Sequence, residues 1–123
     1  MRPTTKSRRL SRAAEFDAVY RRGRSASSRH LVVYVFPRGD DGDAPMRVGL
    51  TVSRKVGGAV QRNHCKRLLR EAVERVRADL PAATDVVVVA RPGLAETLEA
   101  NGLDWLAPQL AEQLRSALGE ATA

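Results

Sequence analysis

"RVGLTVSRKVGGAVQRNHCKRLLREAV", Arg47 to Val73, decides the fold. It opens with strict alternation: Val48, Leu50 and Val52 share one side of an extended chain. A basic pair, Arg54 and Lys55, and two glycines then lead into a stretch with helical period. On a wheel at about 100° per residue, Cys65, Leu69, Ala72, Val73, Val76 and Leu80 fall on one side, with Leu68 at its margin. Arg62, Lys66 and Arg70 follow one another at i, i+4, i+8 on the adjacent side, with Asn63 and Arg67 next to that row. The stretch from Arg47 to Arg70 holds seven Lys or Arg and not one Asp or Glu. A helix face usually balances such a row with acids one turn away. An uncompensated row of guanidinium and ammonium groups beside an Asn points to phosphate contacts.

The remaining chain supports one domain, since 123 residues suffice for a single core. The expected organisation is a flexible basic arm over residues 1–10, a domain over 11–118 and a short tail over 119–123. The first helix should start near Ser11, a plausible N-cap, and run to about Arg22 before Gly23. "HLVVYVF" reads as a strand ended by Pro37, and "MRVGLTVS" as a second strand paired with it in an antiparallel hairpin. The polar, acidic "RGDDGDA" is the connecting loop. The basic helix should span about Ala59 to Leu80, ahead of Pro81. "DVVVVA" is a near-continuous apolar run, expected at the centre of the sheet with both faces covered. A last helix, about Asp104 to Leu118, repeats Leu106, Leu110, Leu114 and Leu118. The order α-β-β-α-β-α implies an α+β fold with helices packed on a sheet.

Charge and aromatic content are both unevenly placed. The net charge is +7, yet from Gly93 onward Arg115 is the only base among five acids. One working face toward a polyanion is expected. Four of the five aromatics, Phe16, Tyr20, Tyr34 and Phe36, lie in the first 36 residues. Flanked by Arg9, Arg12 and Arg29, they could form a shallow cleft on which bases of a single strand stack. Trp105 reads as structural.

Protein-based catalysis finds no support. Asp40, Asp41 and Asp43 crowd one loop, away from the basic segment. His64 and Cys65 are adjacent on a helix and point about 100° apart. As zinc ligands they lack companions, because His30 is the only other histidine and Cys65 the only cysteine. No apolar run reaches membrane-spanning length, and the basic start lacks the apolar region of a signal peptide, so a cytoplasmic protein with no membrane partner is expected.

The Arg47–Val73 run resembles the signature of the bacterial ribonuclease P protein subunit, a "VGL-S-KK-GNAV-RN-KR-LRE" pattern. The similarity extends to "RRLSRAAEFDAVYRRGR" upstream and "VVVVARP" downstream. The resemblance implies an α-β sandwich with a four-stranded mixed sheet and a left-handed β-α-β crossover. It implies a non-catalytic protein subunit of a tRNA 5′-processing endoribonuclease, with ribonuclease P RNA and precursor tRNA as partners and no further protein required. The catalytic groups and Mg2+ would belong chiefly to the RNA, and no organic cofactor is expected.

Carried over by position, Arg62, Asn63, Lys66, Arg67 and Arg70 would face the catalytic RNA, with Ser53, Arg54 and Lys55 in the loop before the helix. Phe16, Tyr20 and Tyr34, with Arg9 and Arg29 nearby, would hold the single-stranded 5′ leader, and Arg91 is the base after the last strand. The family also has a metal site in this region, to which no residue of this chain is assigned. His64 stands where the family usually has Arg, Gly58 where it usually has Asn, and Tyr20 where Phe is frequent. From the residues alone, a general RNA-binding or ribosome-associated protein with no role in cleavage stays open. The pairing of an aromatic cleft with an Arg–Asn helix favours the ribonuclease P reading.

Overall fold

The computed structural model describes residues 9–10, 13–37, 46–79 and 84–119. The elements run α1 (Ala13–Arg22), β1 (Arg24–Ser27), β2 (Leu31–Pro37), β3 (Arg47–Thr51), α2 (Ala59–Val76), β4 (Thr84–Ala90) and α3 (Leu94–Ala117). A 3-10 turn, Arg77–Asp79, follows α2. Ser11, the acidic loop and Leu80 with Pro81 lie outside the described residues.

The four strands form one mixed sheet in the order β1-β2-β4-β3. This corrects the expected hairpin: β2 and β3 do not pair. β4 lies between them, antiparallel to β2 and parallel to β3, while β2 makes its hairpin with β1. The reason is burial. β4 is buried along nearly its whole length, so it needs a neighbour on each side and helices or sheet residues over both faces. The parallel β3–β4 pair then requires a long crossover, which α2 supplies. β1, "RSAS", is short, polar and at the edge, which blunts an exposed strand against pairing with other chains.

Alternation divides the sheet into two unlike faces. Leu31, Val33 and Val35 of β2, Val48 of β3 and Val86, Val88 and Ala90 of β4 point to one side. There they meet Cys65, Leu69, Ala72, Val73 and Val76 of α2, the stripe expected from periodicity. α3 completes this core with Leu94, Leu98, Leu106, Leu110 and Leu114. Trp105 packs at its margin, its ring edge-on to His30 at 5.5 Å.

α3 begins ten residues before the expected Asp104, because the chain kinks at Gly102 (φ 72°) and joins two helical pieces. Only glycine adopts that left-handed turn without strain. The piece from Leu94 to Asn101 adds Leu94, Ala95 and Leu98 to the core.

Among the described residues, the opposite face is covered in part, by α1 and Leu10. Val19 is fully buried there, against Val87 and Leu10. Arg47 fastens α1 down. Its Nε and Nη2 donate to the two carboxylate oxygens of Asp85 at 2.9 and 2.7 Å, and its Nη1 donates to Glu15 of α1 at 2.9 Å. The Asp85 hydrogen bonds, with the charges of Asp85 and Glu15, raise the Arg47 pKa above the ordinary guanidinium range, against an opposing effect of burial. Asp85 is 2% exposed, so the bidentate pair ties β3 to β4 and fixes the guanidinium, whose third nitrogen reaches Glu15 and ties the sheet to α1.

Candidate nucleic-acid interface

Arg47 therefore leaves the set of uncompensated bases. Of the seven, the other six (Arg54, Lys55, Arg62, Lys66, Arg67 and Arg70) form no ion pair among the described residues.

The approach to α2 is a tight turn. The Val56 N–H donates to Ser53 O at 3.0 Å, and the Lys55 N–H to Ser53 Oγ at 3.3 Å. This places Arg54 and Lys55 on an exposed corner. Gly58 is the N-cap of α2, its N–H donating to Gln61 Oε1 at 3.0 Å. No acid stands in the first turn of α2, so the partial positive charge of the helix start adds to the basic residues around it.

Along α2, Arg62 and Lys66 are half-buried and Asn63, Arg67 and Arg70 exposed. Arg62 Nε is buried without an acceptor, a donor left for a ligand oxygen or water. Arg67 Nη2 lies 3.3 Å from His64 Nδ1. The ridge thus holds two functional options side by side: Arg62–Lys66–Arg70, and Asn63–Arg67 with His64 as a neighbour. Cys65 is fully buried. Burial pushes its thiol pKa up, with the Glu96 charge adding to the effect, which makes it an inert core residue.

The aromatic cleft forms between α1 and the sheet. Tyr20 meets Tyr34 edge-on with ring centroids 4.9 Å apart, and Phe16 lies 6.4 Å from Tyr20. Tyr20 is 40% exposed, whereas Phe16, Tyr34 and Phe36 are half-buried. The rings are neither a closed core nor a bare surface. Tyr20 Oη lies 3.5 Å from Thr51 Oγ1. Gly49 lies directly under Phe16: a Cβ there would come within 2.6 Å of the ring. Strand register continues the floor through Val32, Val89 and Thr51, all half-buried.

Arg29 is exposed in the β1–β2 turn, at the sheet end where that row runs out. Arg91 follows β4 at the same end, its Nη1 donating to Ser28 O at 3.2 Å. The structure does not bring Arg9 to the rings. Arg9 pairs with Val48 on the outer edge of β3 and so shares the α2 side of the sheet. Leu10, from the stretch assigned to the arm, is buried on the α1 side. Arg12 lies outside the described residues. Gly49, Thr51, Val32 and Val89 were missed by sequence reasoning. The signal was present in the alternation of β3, which puts Gly49 and Thr51 opposite Val48 and Leu50.

Among the described residues, no three His, Cys, Asp or Glu gather closely enough to hold a metal ion. No helix among them is long and apolar enough to cross a membrane.

A small α+β domain with a basic helix on one side of a mixed sheet and a half-open aromatic cleft on the other has the features of a candidate nucleic-acid-binding protein. The chain belongs to the ribonuclease P protein family: the family model, described as Ribonuclease P, matches residues 4–117. The ribonuclease P protein component of Brevibacillus brevis is 47% identical over 96 residues, covering 77% of this chain and 75% of that one. The component of Desulfovibrio desulfuricans is 47% identical over 88 residues, covering 72% of this chain and 67% of that one. Among solved structures, the RNase P protein of Thermotoga maritima superposes with a TM-score of 0.68 at 31% identity, covering 88% of this chain and 92% of that one. The Staphylococcus aureus RNase P protein gives 0.64 at 30% identity, covering 94% and 96%.

Proposed function

We propose that this chain is the protein cofactor of a ribonuclease P ribonucleoprotein in the cytoplasm. The α2 ridge docks on the catalytic RNA, and the cleft of Phe16, Tyr20 and Tyr34 holds the single-stranded 5′ leader of precursor tRNA. The RNA performs the Mg2+-dependent cleavage and supplies the metal ligands, and the protein contributes affinity and position.

One observation carries the reading. Two surfaces with nucleic-acid chemistry occur on opposite sides of one sheet: unpaired bases on α2, and stacking rings with an open edge beside α1. A duplex-only or ribosome-only binder needs the first but not the second. Phosphate contacts along α2 provide sequence-independent affinity, and exposed rings give a strand-selective grip that duplex RNA does not engage.

Reconstitution tests the function. Mixed with a bacterial ribonuclease P RNA and precursor tRNA at low magnesium, the protein should restore cleavage at the leader junction, and protein alone should cleave nothing. RNA binding without any rescue would identify a general RNA-binding protein instead.

A further inference from the structure

Arg29 is the middle residue of the connection between β1 and β2, residues 28–30. It is exposed and, among the described residues, makes no ion pair or hydrogen bond of its own. The backbone on either side of it is fixed from three directions. Within the turn, the Ser28 N–H donates to Leu31 O at 2.8 Å and the Leu31 N–H to Ser28 Oγ at 3.3 Å. From the end of β4, the Arg91 N–H donates to His30 O at 2.9 Å and Arg91 Nη1 to Ser28 O at 3.2 Å. From α3, Thr97 meets the His30 ring, with Oγ1 3.1 Å from Nε2.

Chemistry fixes the direction of that last hydrogen bond. Thr97 Oγ1 also donates to Gly93 O at 3.1 Å. A hydroxyl has one proton, so Nε2 carries the hydrogen and Oγ1 accepts it. Trp105 holds the ring on a second side, edge-on at 5.5 Å. His30 thus meets a hydroxyl and an indole that both belong to α3.

α3 does not need this contact to stay in place. Leu94, Leu98, Leu106, Leu110 and Leu114 are buried in the main core, and one part-buried hydrogen bond adds little to that. The consequence falls on the turn. Ser28 and His30 are half-buried and Arg29 is exposed, so the turn has no buried apolar side chain to seat it. β1 behind it is a short polar edge strand. Freed from α3, Arg29 would keep its charge and lose its fixed position.

We propose that His30 is a positioning residue for the 5′ leader. Through Thr97 and Trp105 it fixes the β1–β2 turn on α3, so that Arg29 meets a leader phosphate where the strand leaves the aromatic rings. The proposal rests on the reading of the cleft as the leader site, and it gives α3 a part in leader binding through the turn. A guanidinium already in place loses less conformational freedom when it closes on a phosphate. Its planar fork also has to meet the phosphate oxygens at a set angle, which a fixed backbone secures.

Binding of leader-bearing precursor tRNA and of mature tRNA to the reconstituted ribonucleoprotein tests this. His30→Ala and Thr97→Val should each weaken the precursor roughly two- to tenfold, the worth of one hydrogen bond, and leave mature tRNA unchanged. Thr97→Val keeps the shape of its side chain and leaves the turn's own residues intact, so it guards against misfolding of the first variant. His30→Gln, whose amide nitrogen can stand where Nε2 does, should restore most of the affinity.

A double-mutant cycle with Arg29 separates positioning from mere stability. In an Arg29→Ala background, neither His30→Ala nor Thr97→Val should weaken the precursor further. The same loss with and without Arg29, or an equal loss for precursor and mature tRNA, would overturn the proposal. So would an Arg29→Ala protein that binds the precursor as the unaltered one does. Tyr20→Ala tells the two readings apart. If it weakens the precursor selectively while His30→Ala and Thr97→Val change nothing, the positioning role falls and the cleft stands. If Tyr20→Ala has no selective effect, the cleft reading falls and takes the role of His30 with it.

Discussion

The two faces of the sheet are built from different residues and closed to different degrees. The face under α2 and α3 is sealed with Leu, Val, Ala, Cys and Met, and no aromatic ring is among its buried members. The face under α1 carries Phe16, Tyr20, Tyr34 and Phe36, none of them fully buried. Aromatic rings are the largest apolar groups a chain can bury, and ordinary core construction would use them inside. Their placement on the half-covered face leaves the closed core to the aliphatic side. The aromatic side is left open at some cost, and it is held in shape by a salt bridge and a glycine.

The largest effect should come from cutting the tie that sets this asymmetry. Arg47→Met leaves the Asp85 carboxylate buried with its main charge partner removed, and should cost about 3–5 kcal/mol of stability in urea unfolding. A loss under about 1 kcal/mol, the range of an exposed pair, would mean that packing of Val19 alone seats α1. On the sealed face, Leu69→Ala should cost about 2–5 kcal/mol while leaving RNA affinity unchanged at a temperature where the variant is folded. An equal loss of RNA binding would blur the division between faces.

On the outer side of α2 the expected change is in salt dependence rather than stability. Replacing Arg62, Lys66 or Arg70 singly by Ala should flatten the log-log plot of RNA affinity against salt by roughly 0.7–0.9. Slopes unchanged in all three would remove the ridge from the interface. The smallest effect is at the start of α2. A side chain at Gly58 would meet nothing within 4 Å, so Gly58→Asn should gain a few tenths of a kcal/mol as a better N-cap, visible as a slight rise in melting temperature.

Local periodicity made part of this architecture legible. The apolar stripe of α2, its basic row and the buried centre of the sheet at β4 follow from spacings of 3.6 and from a continuous apolar run. What was not legible depends on long-range partners. β2 and β3 are separated by one loop and look like a hairpin, because neighbouring strands usually pair. Only the need of β4 for two neighbours places it between them. β1 escaped notice because "RSAS" has no strand-forming residue. The first part of α3 was hidden by the punctuation of Pro92, Gly93 and Gly102. Arg47 looked uncompensated because its acids, Glu15 and Asp85, lie 32 and 38 positions away. The same distance effect hid the position of Arg9, whose pairing with Val48 carries it to the α2 side.

The open face is the claim on which the account turns, and the most direct test compares leader-bearing precursor tRNA with mature tRNA, both bound to the reconstituted ribonucleoprotein. Tyr20→Ala should weaken the precursor by roughly 1–3 kcal/mol, the worth of one stacked base, and leave mature tRNA within error. Equal weakening of both, or of neither, would make the rings part of the core after all.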